Sequence, residues 1–361
     1  MGIGSYPTRI TAMPAATAAA GGPPIFAKRD DETSPIYGGN KIRKLEGILD
    51  LARARGATRL VTVGAVGSHH VLSTAIFGRR AGFAVDAIVA PQPATAHAEE
   101  VARIVAGLEI ALVPVGSFAA VPVAVARRLR APGRPFLIAP GGSTPVGSVG
   151  FVRAAGEIAA AIGAGLLPTP LTVVVALGSG GTVAGLLAGL AEAGLAGAVD
   201  VLAVRVVDRP FGSTGATLAL AAATSRRAHG WTLGDAPATI ARLARVLRID
   251  DRFVGAGYGH PTPEGARATA IAAEDGLVLD PTYTAKAFAA ALAEAREGRR
   301  PILFWQTLAA PGPFEALLRE APAVLPTEIE RLLVGPRRAT PSQATPARDT
   351  PAPCTSRTPR S

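Results

Sequence analysis

The sequence predicts an α/β protein of two domains, each an open, mostly parallel twisted sheet flanked by helices. Three observations carry this. Apolar β-type runs alternate with helical patterns between residues 60 and 139, at the spacing of right-handed β–α–β crossovers. The run Leu171–Leu177 is wholly apolar, as a central strand covered on both faces must be. The chain has 361 residues, 48% hydrophobic against 18% charged, which is enough for two cores.

Taken in order, the first 22 residues are rich in Ala, Gly, Pro and Thr and are expected to run extended over the surface. Residues 24–31 read as a short strand ending in a charged turn. A helix begins near Lys41, because Leu45, Ile48, Leu49 and Ala52 share one face and Gly56 sits where it would stop. Strands are predicted at 60–63, 85–90, 109–114 and 136–139, with helices at His69–Arg80, Ala96–Gly107 and 120–130 between them. A link, Gly141-Gly142-Ser143-Thr144, leads to a helix at 151–162 and then to the strand Leu171–Leu177. A glycine loop and another helix come next. They are followed by a strand at 201–207, a helical stretch at 237–247, helices at 264–275 and Thr284–Glu297, and a strand at 301–305. The larger domain is expected to hold 1–51 and 161–335, and the smaller one 52–160. Residues 336–361 repeat Thr-Pro and Ala-Pro steps and are read as a disordered tail.

Composition excludes several functions. Of the net charge of +10, five arginines against one acid lie in the tail. The other arginines are scattered, and aromatics make up 5%, so there is neither a basic stripe nor a stacking platform for nucleic acid. The single cysteine, Cys354, rules out a disulfide framework, a thiol nucleophile in the fold and a cysteine metal site. The uncharged run 158–191 is broken by Pro168, Pro170 and a glycine cluster, so no membrane span is expected. No basic leader with an apolar core opens the chain, and a cytoplasmic location is expected.

Positive charge is carried by 33 arginines and four lysines, Lys28, Lys41, Lys44 and Lys286. Two of the four fall together behind Gly38-Gly39-Asn40. They are either solvated surface charges or groups kept for tasks a guanidinium cannot perform, namely imine formation and point contact with phosphate. Asn40 is a plausible cap for the helix that follows. The loop Gly178-Ser179-Gly180-Gly181-Thr182 leaves an apolar strand and enters a helix, the arrangement that aims backbone amides at an anion. Ser68, in Gly64-Ala65-Val66-Gly67-Ser68-His69-His70, is either an ordinary N-cap or part of a second anion site holding a carboxylate. His69 and His70 point about 100° apart on a helix, so they do not form a metal pair. Tyr258 and Tyr283 stand in loops marked by glycine or proline. There a phenol packs with a polar tip, or passes a proton if its pKa is lowered.

The run Gly38-Gly39-Asn40-Lys41-Ile42-Arg43-Lys44-Leu45-Glu46, with Ile25-Phe26-Ala27-Lys28-Arg29-Asp30-Asp31 before it, resembles the D-cysteine desulfhydrase and 1-aminocyclopropane-1-carboxylate deaminase family. The resemblance extends over about residues 6–325 and takes in Asp280-Pro281-Thr282-Tyr283-Thr284-Ala285-Lys286. It implies the tryptophan-synthase-β-like fold, fold type II, with pyridoxal 5'-phosphate as cofactor, a small amino-acid substrate and a homodimer. By position it implies that Lys41 binds the cofactor covalently and then moves the Cα proton. Lys44 and the 178–182 amides would hold the phosphate, Asn40 would stand beside the cofactor, and Ser68 would take the substrate carboxylate. Tyr283 and Tyr258 would lie near the reacting carbons. Thr284, where the deaminases carry glutamate, matches the desulfhydrases. Thr284 or Thr307 would offer a hydroxyl to the ring nitrogen. The family's Ser-Asn-His reads Ser68-His69-His70 here, which makes His69 the expected donor to the cofactor's ring oxygen and a group that could titrate beside Ser68. Its His-Thr-Gly-Gly reads Gln306-Thr307-Leu308-Ala309. The resemblance thus points to a lyase or deaminase, with D-cysteine-like elimination first, cyclopropane-ring opening second and a serine- or threonine-type ammonia-lyase third. A cofactor-binding relative without turnover is the rival from another class, and a nucleic-acid binder driven by the tail is a weaker one.

Overall fold

A computed structural model describes residues 2–209, 211–230 and 236–335, and the tail expected at 336–361 lies outside these residues. The chain begins with β1 (Ile10–Ala12), α1 (Pro14–Ala20), β2 (Ile25–Arg29), α2 (Lys41–Ala54), β3 (Arg59–Ala65) and α3 (His69–Arg80). It continues with β4 (Ala84–Ala90), β5 (Gln92–Pro93), α4 (Ala96–Gly107), β6 (Ala111–Pro114), α5 (Val121–Leu129) and β7 (Pro135–Leu137). Next come α6 (Pro145–Gly163), β8 (Leu171–Leu177), α7 (Gly181–Glu192), β9 (Val199–Arg205), α8 (Thr214–His229), α9 (Ala236–Ala244) and β10 (Leu247–Asp250). The last elements are α10 (Pro263–Glu274), α11 (Thr284–Glu297), β11 (Ile302–Gln306), α12 (Pro311–Glu320), α13 (Thr327–Glu330) and β12 (Leu333–Val334).

Two main sheets form, as the alternation requires. The larger has the order β1-β2-β11-β8-β9-β10 and is parallel except for the edge strand β1. The smaller, β6-β4-β3-β7, is entirely parallel. In the large sheet β8 is buried at every position, and α6 and α7 pack over one face through Phe151, Ile158, Val183 and Leu187. On the other face, α1, α10 and α11 close over Ala27, Val174, Leu202 and Phe304.

The opening segment departs from expectation. Residues 10–20 form a strand and a helix, because Met13, Ala16 and Ala20 are buried and Asp275 accepts from the amides of Ala15 and Ala16. That cap comes from far along the chain. Helices α8 and α12 are likewise additional to the sequence reading.

Packing also crosses the boundaries drawn from sequence. Helix α6 joins the core of the large sheet. Residues Leu325, Ile329 and Leu333 join that of the small one, with β12 pairing parallel to β5. Helix α2 belongs to both. Ile42, Leu45 and Leu49 enter the small core, whereas Arg43 reaches a buried ionic cluster against the large sheet. In that cluster Asp30 accepts from Arg43 twice at 2.8 Å, from Trp305 Nε1 at 2.8 Å and from Thr8 at 2.9 Å. Glu157 accepts from Arg43 at 2.7 Å and from Lys28 at 2.6 Å.

Helix α6 is long and apolar enough to cross a membrane by length and composition, yet its inward residues are core.

Candidate active site

A cavity of about 470 Å³ opens where the C-terminal ends of strands from both sheets converge, the usual ligand position in such folds. Lys41, the first residue of α2, projects into it. The turn before α2 is set by Gly39, whose φ is +95° and whose missing Cβ would lie 2.8 Å from the Thr307 carbonyl. Asn40 does not cap the helix with its side chain. Its Nδ2 donates to Thr182 at 3.1 Å instead, tying α2 to the glycine loop. Burial lowers the Lys41 ammonium to about 8, with Asp280 opposing the shift. About a tenth of Lys41 is therefore neutral at pH 7, far more than for a solvated lysine. The cofactor-free protein should accordingly capture an aldehyde faster as pH rises, with a midpoint near 8. Stopped-flow absorbance checks this, and a rate flat from about pH 6 to 9 would exclude Lys41 as the titrating nucleophile.

One turn on, Lys44 is 2% exposed, and burial, with a smaller contribution from Lys41, holds it well below the usual lysine range. Its Nζ contacts the Gly141 carbonyl at 3.2 Å and Ser143 Oγ at 3.3 Å, and no carboxylate pairs with it among the described residues. Facing it are the loop 178–182 and the N-terminus of α7. A Cβ at Gly181 would stand 3.0 Å from Lys44 Nζ and 2.6 Å from Ser143 Oγ, so only glycine fits there. Gly178, Ser179, Gly180 and Thr182 line the cavity, whereas the Gly181 amide donates to Ser143 at 3.0 Å. Two lysine side chains and a helix N-terminus, with no carboxylate paired to Lys44 among the described residues, together suit a dianion. Ser143, read from sequence only as part of a link, is a missed member of this cradle. The sequence did carry a signal, since its Gly-Gly-Ser pattern also leaves a strand and enters a helix.

Ser68 caps α3, accepting from the Val71 amide at 3.5 Å, and lines the cavity. The neighbouring histidines behave unlike the expectation. Both ring nitrogens of His69 are engaged: Nδ1 with the Tyr37 hydroxyl, and Nε2 with His97 Nε2 at 2.8 Å. It therefore has no free N–H for a cofactor oxygen. Burial, then the neighbouring His97, pushes it down to about 3, so it does not gain charge near neutrality. His70 lines the cavity too, and its ring nitrogens make no hydrogen bond of good geometry among the described residues. His70, unlike His69, has no side-chain partner for its ring among those residues and meets only the backbone at Ala139.

Across the cavity, Tyr283 donates to Tyr258 at 3.3 Å, and the rings meet edge to face. Burial raises both phenols, so they serve as hydrogen-bond donors and not as bases near neutrality. Lys286 donates to the Val254 and Gly257 carbonyls and so fixes the loop carrying Tyr258. Thr284 is 1% exposed and does not line the cavity. Its hydroxyl bonds Asp280 at 2.7 Å, where Asp280 caps α11 through the amides of residues 282–284. Thr307 does line the cavity and is the one of the two threonines positioned to meet a ligand. None of the four lysines is solvated: Lys28, Lys44 and Lys286 are buried and Lys41 is half-buried.

A dianion cradle one helical turn from a half-buried, partly neutral lysine suits a phosphorylated aldehyde. A family profile described as pyridoxal-phosphate dependent enzyme matches residues 3–305. The chain belongs to that family. Its cofactor is pyridoxal 5'-phosphate, and it is an enzyme of the lyase or deaminase type. It is 38% identical over 291 residues to nocardicin C-9' epimerase of Nocardia uniformis subsp. tsuyamanensis, covering 78% of this chain and 85% of the relative. With a putative 1-aminocyclopropane-1-carboxylate deaminase of Pyrococcus furiosus the identity is 35% over 300 residues, covering 81% and 87%. With D-cysteine desulfhydrase of Klebsiella pneumoniae it is 33% over 304 residues, covering 80% and 88%. The solved structure of an ACC deaminase homologue superposes with a TM-score of 0.69 at 28% identity, covering 88% of this chain and 95% of that one. The fold is thus that of the pyridoxal-phosphate type II enzymes.

Proposed function

We propose that the enzyme eliminates a β-substituent from a small amino acid, with a D-cysteine-like thiol as substrate and pyruvate, ammonia and sulfide as products. Lys41 would carry the cofactor and take the Cα proton. Ser68 and the amides opening α3 would hold the substrate carboxylate, and the phenols of Tyr283 and Tyr258 would donate to the departing group. The bound cofactor supplies an aldehyde for the substrate amine and a ring that draws electrons from Cα. The observation that carries the reading is the state of the two carboxylates lining the cavity. Asp280 is spent on the start of α11, and Asp208 accepts from the Tyr258 amide at 3.3 Å. With Asp280 so engaged, a ring nitrogen held by a hydroxyl such as that of Thr307, and not by a carboxylate, would be a weaker electron sink. That suffices for a good leaving group and suits thiols better than a carbon–carbon bond in a strained ring. The enzyme is expected to work as a cytoplasmic homodimer without membrane or nucleic-acid partners.

A screen of D- and L-cysteine, serine, threonine and 1-aminocyclopropane-1-carboxylate, reading keto acid and sulfide, tests this. Sulfide release from D-cysteine at least about tenfold faster than keto-acid release from the others is expected, and ring opening as the fastest reaction would overturn it. A second reading, inversion at Cα, is favoured by one observation. The hydrogen-bonded line Tyr37–His69–His97 runs outward from the cavity.

A further inference from the structure

We propose that Tyr37, His69, His97 and Glu100 form a two-way proton relay between the cofactor cavity and solvent. Tyr37 is 1% exposed overall and lines the cavity. Its hydroxyl meets His69 Nδ1, and His69 Nε2 meets His97 Nε2 at 2.8 Å. His97 Nδ1 then faces the Glu100 carboxylate at 3.7 Å, a gap that one bridging water or a small rotation closes. Exposure rises along the line, reaching 24% at the His97 side chain and 38% at Glu100. Phe314 lies against both imidazoles, with ring centroids 6.3 and 5.4 Å away, and shields the middle of the line.

Two imidazole nitrogens facing each other at 2.8 Å need one proton between them, and this fixes a polarity. In one state Tyr37 O–H donates to His69 Nδ1, His69 Nε2–H donates to His97, and His97 Nδ1–H points to Glu100. A proton arriving at the Tyr37 oxygen from the cavity displaces each of these in turn. The O–H proton moves to Nδ1, the Nε2 proton crosses to His97, and the His97 Nδ1 proton leaves through Glu100 to water. Tyr37 and both imidazoles are again neutral, Glu100 is again a carboxylate, and the polarity of the line is reversed. In that second state Tyr37 O–H points into the cavity, and the same steps run backwards when it gives up its proton and solvent resupplies His97 Nδ1. Because burial keeps the His69 imidazolium disfavoured, the middle of the line passes protons without storing them. The consequence is exchange of a substrate Cα proton with solvent, on which inversion at Cα also depends. This rests on the chain's binding amino acids through its cofactor, but not on elimination.

Alanine has no β-leaving group, so deuterium uptake at its Cα in heavy water isolates the relay from elimination. Rates are normalised to bound cofactor. Wild type should incorporate deuterium into at least one enantiomer, and His97→Ala should slow this about 10²-fold. Imidazole in the buffer should restore a substantial part of the loss, which a merely structural role for His97 would not allow. Glu100→Gln, at the surface, should slow exchange severalfold and serves if His97→Ala does not fold. In the cofactor-free protein, long-range 1H–15N spectra should show His69 neutral from about pH 5 to 8, with one ring proton protected from solvent. No uptake by wild type, uptake unchanged in both variants, a loss that imidazole does not restore, or a His69 that titrates near 6.5 overturns the relay. Absence of sulfide from every thiol substrate, with exchange intact, overturns the elimination reading alone.

Discussion

Lys41→Ala is expected to fold, to purify without covalently attached cofactor and to lose at least about a thousand-fold in turnover. Two functions disappear together, because the amine that holds the cofactor is also the proposed base at Cα. Borohydride reduction followed by peptide mass spectrometry should place the cofactor on Lys41 in wild type and nowhere in the variant. The other lysines are poor substitutes. Lys28 and Lys286 are held by internal acceptors, and Lys44 is turned toward the Gly141 carbonyl and Ser143. A reducible adduct on Lys44 in the variant would show that the two lysines have been assigned the wrong way round.

The largest expected effect on stability comes from a residue with no part in the chemistry. Asp30→Ala leaves Arg43 and Trp305 Nε1 without their buried acceptor and should cost about 3–5 kcal/mol. Urea denaturation followed by fluorescence measures it. The exposed pair Arg9–Glu32 is the control, and Arg9→Ala should cost under about 1 kcal/mol. Equal losses at the two sites would mean that the cluster is solvated in solution. Because Arg43 sits between Lys41 and Lys44 on α2, a moderate loss at Asp30 should also weaken cofactor retention.

Much of this was legible because the signals are local. Helices His69–Arg80 and Ala96–Gly107 fall where expected because Ser68 and Thr95 cap them from the preceding residue. Leu171–Leu177 needed only its composition, and the glycine loops announce themselves by what they lack. Helix α1 was illegible for the opposite reason. Its alanine-rich sequence has little pattern of its own, and its start is capped by Asp275 of another element. The site divides in the same way. Lys41, Lys44, Ser68 and the 178–182 loop were marked by their immediate neighbours. Ser143 reached Lys44 and the 178–182 loop, and His97 reached His69, only by tertiary approach. Thr284 shows the converse. Its position in the motif pointed to the cofactor, but Asp280, four residues earlier, captures its hydroxyl. The reading of His69 as a donor failed because its partners, Tyr37 and His97, lie on other segments.

The pairing of β12 with β5 has a practical side for anyone handling the protein. The last described strand ends at Val334 and is zipped onto Gln92–Pro93 at the rim of the small sheet, while α12 leans on α4. The segment ending at Val334 is therefore a handle on the small sheet, although the chain reaches it from the large one. A bulky group placed directly after it would load the small sheet and the walls it lends to the cavity, and the N-terminus is no freer, since Ile3 packs against the same core and the Ile3 and Gly4 amides donate to Glu46 of α2. A dye at Val334 would report on the small sheet and not on the large one.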